Sequence, residues 1–229
     1  MNKDTVSQGS GATRMQAEFD LLADEYRVQH KQNVAIPGET PEYFSEYKIA
    51  ELAELLNRLR LAAPKILDLG SGIGIGNSLP YFHKYFPGSE ITCADVSVRS
   101  IEIAQTRFPG QENYVLINEG IPLLTASQDV VFSTCVFHHM PHEEHLHWLA
   151  ELGRITKPDG IFVNYEHNPL NPLTVCAVNT CPLDVNALLI LGGTLREREL
   201  TIGCEDVQVD YKVFFPRNLG STPVHGTPS

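Results

Sequence analysis

The segment Ile66-Leu67-Asp68-Leu69-Gly70-Ser71-Gly72-Ile73-Gly74-Ile75-Gly76 limits the possible folds of this chain more than any other stretch. A short apolar run, residues 65–69, ends in closely spaced glycines, and residues 77–86 then suit a helix. A strand that turns through glycines into a helix lets bare backbone approach a ligand, and offers it free N–H groups and the positive end of the helix dipole. The same geometry serves pyrophosphate when the glycines follow the spacing G-x-G-x-x-G. That spacing fails here. Counted from Gly70, the third glycine position is Ile75; counted from Gly72, it is Asn77. Asp68 lies inside the strand, where an acid is badly placed against pyrophosphate and well placed toward a cationic amino-acid group.

The flanking pattern places this turn in a layered fold. Phe19, Leu22, Ala23 and Tyr26 give residues 15–30 helical spacing, and residues 33–40 read as a loop around Pro37-Gly38. Pro41 opens a second helix whose broad apolar face includes Tyr43, Phe44, Tyr47, Ile49, Leu52, Leu55 and Leu56. From Pro64 strands alternate with helices. Strands are expected at residues 65–69, 90–94, 114–117, 129–134 and 161–165, and helices at 77–86, 98–108 and 143–155, with a turn at 157–160. This order implies a Rossmann-like, doubly wound, mostly parallel sheet with right-handed crossovers.

Beyond Glu166 the alternation stops. Pro169, Pro172 and Pro182 mark residues 167–184 as an irregular excursion. Residues 185–191 and 196–200 look helical, 207–215 read as a sixth strand, and 216–229 read as a frayed tail.

Composition narrows the class. The chain has 229 residues, 17 basic and 28 acidic, for a formal charge of −11. Such a charge repels phosphate backbones and anionic membrane surfaces, so neither nucleic acid nor membrane is expected as a partner. No stretch reaches the roughly 18 apolar residues of a membrane span. Residues 1–14 are polar and read as a loose tail rather than a leader. Cys93, Cys135, Cys176, Cys181 and Cys204 are odd in number and scattered, which fits a reducing cytoplasm better than a disulfide framework.

Asp68-Leu69-Gly70-Ser71-Gly72-Ile73-Gly74 resembles the first motif of class I S-adenosylmethionine-dependent methyltransferases, in their small-molecule branch. Four later elements extend the resemblance in order. Asp95, in Cys93-Ala94-Asp95-Val96-Ser97, falls 21 residues after Gly74, near the spacing for an acid that accepts both ribose hydroxyls. Asn118-Glu119-Gly120 stands at the position that touches the adenine amino group. Ser133-Thr134-Cys135-Val136-Phe137-His138-His139 resembles the family's fourth motif, and Arg154-Ile155-Thr156-Lys157-Pro158-Asp159-Gly160 resembles its Lys-Pro-Gly-Gly turn. The resemblance implies S-adenosylmethionine as cofactor, leaving as S-adenosylhomocysteine. Asp68, Gly70, Ser71, Gly72, Gly74, Asp95, Val96, Glu119, Gly120 and Cys135 would hold it.

The resemblance further implies methyl transfer to the oxygen or nitrogen of a small-molecule acceptor, by a monomer or homodimer. Residues 1–14 would be a disordered tail, 15–62 a helical lid and 63–215 the cofactor domain. Residues 167–184 would insert on the substrate side, and 216–229 would be a flexible tail. His138, His139, Glu166 and His167, just after strands four and five, are the candidates for the catalytic base. Tyr26, Tyr43 and Asn168 are the candidates for acceptor contact.

Other readings remain beside this one. His138, His139, His142, His145 and His147 crowd one stretch, but no third anchor for a metal is evident in the sequence. No metal is therefore expected, and His142, His145 and His147 read as a solvated helix start. Asp95 as a mere helix cap is the blander alternative, with Ser97 the more natural cap. The short C-terminus leaves the family's seventh strand without a counterpart. That keeps open a catalytically inactive cofactor-binding or partner subunit of the same fold. A nicotinamide-dependent oxidoreductase is the third reading, disfavoured by the glycine spacing.

Overall fold

The computed structural model describes residues 19–20, 41–71, 78–109 and 112–212. Most of the expected first helix, the glycine turn from Gly72 onward, Tyr26 and both chain ends lie outside the described residues. The described chain forms one five-stranded sheet, all of whose pairings are parallel, in the order β3-β2-β1-β4-β5. Its strands are β1 Lys65–Leu69, β2 Glu90–Asp95, β3 Asn113–Leu116, β4 Gln128–Thr134 and β5 Thr156–Tyr165. Among the described residues these helices accompany them: α1 Pro41–Leu59, α2 Leu79–Tyr85, α3 Val98–Arg107, α4 His145–Ile155, α5 Pro172–Thr180 and α6 Gly192–Thr201.

Side-chain alternation assigns each face of the sheet its helices. Ile66, Val130 and Phe132 pack with Ile49, Leu52 and Leu56 of α1 and with Leu79 and Phe82 of α2. Leu67, Leu69 and Val131 pack with Trp148, Leu149 and Leu152 of α4 on the other face. Each fully buried leucine or isoleucine contributes roughly 1.5–3 kcal/mol. Helix α1 is therefore built into one layer of the core. Among the described residues, no helix is long and apolar enough to cross a membrane.

The order places β1 beside both β2 and β4, so the chain leaves β1 on one side and returns on the other. Crevices that bind ligands form at such a reversal, beyond the carboxyl ends of the strands. The register sets what lines this one. Leu69 pairs with Ala94 and Ser133, and Ser133 with Asn164. Gly70, Asp95, Thr134 and Tyr165 therefore finish their strands near one level.

Four expectations need correction. The stretch 157–160, expected as a turn, lies within β5 as a bulge: Gln128 pairs with Thr156, and Val130 already pairs with Ile161. The excursion at 167–184 contains α5, begun by the Asn171 side chain, whose oxygen accepts the Leu173 N–H at 3.0 Å, with Pro172 in the first turn. An asparagine–proline pair was a helix start as well as a loop signal. Residues 185–191 are not a helix, because their backbone serves tertiary contacts. The Leu188 N–H donates to the His138 carbonyl at 2.7 Å.

The described part of the expected sixth strand, 207–212, pairs with no strand. Arg196 Nε donates to the Val207 carbonyl at 3.1 Å, and Lys212 pairs with Glu51 at 3.0 Å, so the segment is tied to α6 and α1 instead. Among the described residues, β5 is thus a sheet edge.

Candidate functional site

The first half of the site is built at the tips of β1 and β2. The Gly70 and Ser71 N–H groups donate to the Ala94 carbonyl at 2.8 and 3.2 Å, hooking the chain over the end of β2. Gly70 adopts a φ of +63°, and a Cβ there would stand 2.3 Å from Cγ2 of Val136. Only glycine meets both demands. Beneath this turn Asp68 is 4% exposed and Asp95 is 5% exposed. Burial, then the nearby charge of Asp95, raises the Asp68 carboxyl to about pH 8, with Lys48 opposing.

Asp95 Oδ1 accepts the Ser97 N–H at 2.8 Å. Ser97 in turn caps α3, its hydroxyl accepting the Ser100 N–H at 3.0 Å. The Ser97 hydroxyl also donates to Asp20 Oδ1 at 2.6 Å, and the Arg99 N–H reaches the same oxygen at 3.2 Å. Asp20 is thereby fastened over the end of β2.

The second half gathers at the tips of β4 and β5. Cys135 follows β4 with a φ of +57°, uncommon for a residue with a side chain, and its N–H donates to the Tyr165 carbonyl at 2.7 Å. This bend turns the next residues over the end of β5. There Glu166 Oε1 accepts the N–H groups of Val136 at 2.9 Å and Phe137 at 2.8 Å, while Oε2 meets His138 Nδ1 at 2.7 Å. Asp184, after α5, approaches His138 Nε2 at 3.4 Å and His139 Nε2 at 3.6 Å. The His167 ring lies 4.8 Å from the His138 ring, and Phe19 meets the edge of His139 at 5.1 Å, centroid to centroid.

Charge accounts for the protonation of this cluster. Burial opposes a charged His138, but the Asp184 and Glu166 carboxylates on either side of the ring outweigh it and raise the ring to about 10. Burial, then the positive His138 beside it, lowers His139 to about 4. Burial works against ionised Glu166 and Asp184, yet contact with His138 holds both below the usual carboxylate range. Burial also works against a Cys135 thiolate, yet His167 and then Lys48 bring the thiol down to about 6. His167 is raised in turn: burial opposes its charge, and Cys135 outweighs burial.

The fold brings together Asp68, Gly70, Ser71, Asp95, Val96, Cys135, His138, His139, Glu166, His167 and Asn168, all of which line one depression. At about 2220 Å³ it exceeds the roughly 300–1,000 Å³ of a small-molecule cleft, because it runs on along the uncovered β5 edge. Glu119 and Gly120 do not line it. Glu119 is exposed, and its carbonyl faces His147 Nε2 at 3.4 Å. Tyr43 is also off the lining and stacks on Tyr47. Gly72, Gly74 and Tyr26 lie outside the described residues.

His142 and His147 are exposed, as expected of a solvated helix start, but His145 is fully buried. Its two ring nitrogens meet the Met140 carbonyl at 3.2 Å and Arg198 at 2.5 Å. Its apolar spacing with Trp148, Leu149 and Leu152 was the available signal. Sequence reasoning also missed Asp184, Lys48 and Asp20. No local pattern marks them: Lys48 and Asp184 reach the cleft from distant elements, and Asp20 reaches Ser97 across 77 residues of chain.

Comparison with known proteins agrees with this geometry. Residues 67–164 match the family model described as a methyltransferase domain. Among solved structures, the chain paired with the Trm112 methyltransferase activator of Haloferax volcanii superposes with a TM-score of 0.60 at 19% identity, over 87% of this chain and 88% of that one. A SAM dependent methyltransferase from Archaeoglobus fulgidus superposes at 0.54 with 18% identity, over 70% and 71% of the two chains. A Haemonchus contortus phosphoethanolamine N-methyltransferase, solved with phosphomonomethylethanolamine and S-adenosylhomocysteine, superposes at 0.52 with 20% identity, over 65% of this chain but only 35% of its own. The parallel sheet with its reversal at β1 is the Rossmann-like fold of these methyltransferase structures, and residues 67–164 within it match a methyltransferase domain.

Proposed function

We propose that the chain transfers a methyl group from S-adenosylmethionine to a hydroxyl or amine of a small-molecule acceptor bound against the β4 and β5 tips. One observation carries the reading. A carboxylate pair, Asp68 and Asp95, and an imidazole–carboxylate cluster around His138 face the same cleft from its two halves. Two buried acids side by side are costly unless a cation joins them. An amino-acid ammonium answers Asp68, a ribose diol answers Asp95, and Gly70 leaves room for close backbone approach. Val96 lines the cleft beyond Asp95, where an adenine face would rest.

When bound, the cofactor supplies an activated methyl group for in-line transfer. The protein's share is alignment, exclusion of water and custody of one proton. Hydrogen-bond accounting sorts the four candidates. Both oxygens of Glu166 are committed to Val136, Phe137 and His138, so Glu166 is a positioning residue. His138 is held between Glu166 and Asp184. His139 and His167 remain to accept the acceptor's proton. Phe19 lines the cleft and packs on His139.

Alanine substitution of His139 and of His167 tests the reading, with turnover and S-adenosylhomocysteine affinity measured separately. Turnover should fall about 10²- to 10⁴-fold in one or both, with product affinity held within a few fold. Full turnover in both variants, or no binding of S-adenosylhomocysteine by the wild type, refutes it.

A further inference from the structure

His138 is 1% exposed. Its Nδ1 is held by Glu166, while Nε2 is buried without a hydrogen-bond partner among the described residues. Asp184 Oδ1 stands 3.4 Å from Nε2, an ionic approach outside hydrogen-bond geometry. One ligand atom from each of His138, His167 and Asp184 lies within 4.8 Å of the others. We propose that His138, His167 and Asp184 form a divalent transition-metal site at the acceptor end of the cleft.

A buried ring nitrogen without a partner is costly, and few small partners fit between an imidazole, a second imidazole and a carboxylate. A metal ion does. Ligands about 2.1 Å from a tetrahedral ion stand about 3.4 Å from one another, which is the separation of His138 Nε2 and Asp184 Oδ1. All three ligand atoms lie within 4.8 Å of one another, so an ion between them would draw the set together. The outer shell is already in place. Metal-bound histidines usually give their other nitrogen to a carboxylate, as His138 does to Glu166, and that carboxylate is itself pinned by two backbone N–H groups.

A dication at this place faces the Asp184 carboxylate directly and the Glu166 carboxylate through the His138 ring. Two nitrogens and one oxygen suit zinc, cobalt(II) or iron(II), whereas magnesium and calcium prefer oxygen throughout. Three protein ligands leave a further position open toward the cleft. That this position faces the methyl acceptor rests on the methyl-transfer reading, in which His139 is then the proton acceptor because His167 is committed to the ion; binding of the ion does not rest on it.

The test uses the full-length chain stripped of metal. Zn²⁺ and Co²⁺ are titrated by calorimetry, and the cobalt complex is followed by visible absorption. One ion per chain is expected, with the intense visible bands of low-coordinate Co²⁺. Asp184→Ala and His167→Ala should each weaken binding by at least about 100-fold, and Glu166→Gln by about 10- to 100-fold. His142→Ala, an exposed histidine, should leave the affinity unchanged. S-adenosylhomocysteine titrated into Asp184→Ala should bind as it does to the wild type. Failure to bind either ion, or wild-type ion affinity in both Asp184→Ala and His167→Ala, overturns the proposal. Ion binding without any S-adenosylhomocysteine binding would sink the methyl-transfer reading and leave the metal site standing.

Discussion

Glu166 Oε2 and His138 Nδ1 meet at 2.7 Å although 28 residues separate them in the chain. The same carboxylate takes two backbone N–H groups from the turn that carries His138, so one side chain fixes both the ring and the loop it stands on. Glu166→Gln keeps the shape and removes the charge. It should lower stability by about 1–3 kcal/mol, since a buried network loses its charged acceptor. Turnover should fall further than S-adenosylhomocysteine affinity, because Glu166 positions the acceptor half of the cleft. Equal losses in turnover and product affinity would argue for a purely structural role.

Asp68 makes cofactor binding depend on pH. Burial and Asp95 raise its carboxyl to about pH 8, so the free protein carries a proton there at neutrality. A ligand ammonium requires the ionised form. Binding should therefore release a proton below about pH 8, with affinity rising as pH increases and levelling off above that point. Calorimetry in two buffers of different ionisation enthalpy measures the release. Asp68→Asn should abolish the release and weaken binding about 10- to 100-fold. An unchanged proton count in Asp68→Asn would refute the assignment.

Gly70 is required by both backbone and space. Gly70→Ala meets a positive φ and a Val136 methyl at 2.3 Å, and should cost about 2–3 kcal/mol. Adding Val136→Ala removes the clash but not the backbone strain. The double variant should recover part of the loss in a double-mutant cycle of Tm values. Strict additivity would show that Val136 is not the obstacle.

Glu199 of α6 tests the packing around the open side of the cleft. Burial raises its carboxyl to about 7. The native state thus holds this proton more tightly than the unfolded chain. Stability is lost as pH rises from the unfolded carboxylate range through about 7, and the penalty is then constant. Glu199→Gln should raise Tm at about pH 8 and leave it unchanged at about pH 4. A Tm difference independent of pH would contradict the burial argument.

Strands β1, β2, β3 and β4 begin and end within one residue of their expected bounds, and Ser97 caps α3 as its residue type implied. These features are local: alternation, a capping hydroxyl and glycines act over a few residues. The errors cluster after Glu166, where backbone groups are satisfied across the fold. Leu188 donates to His138, and Val207 accepts from Arg196, so propensity within each segment did not decide its form. His145 was misread for a related reason, its ring being buried by Arg198 from α6.

The sequence by itself determined the parallel α/β layering, the turn that only Gly70 can make and the acids Asp68 and Asp95 at two strand ends. Short-range periodicity and backbone sterics suffice for those. Only the tertiary structure decided that Asp184 and His167 would join His138, that Glu166 would be spent on holding a loop, and that Glu119 would stay off the cleft lining. Those outcomes depend on which distant loops close over the β4 and β5 tips, and no local pattern of residues encodes that closure.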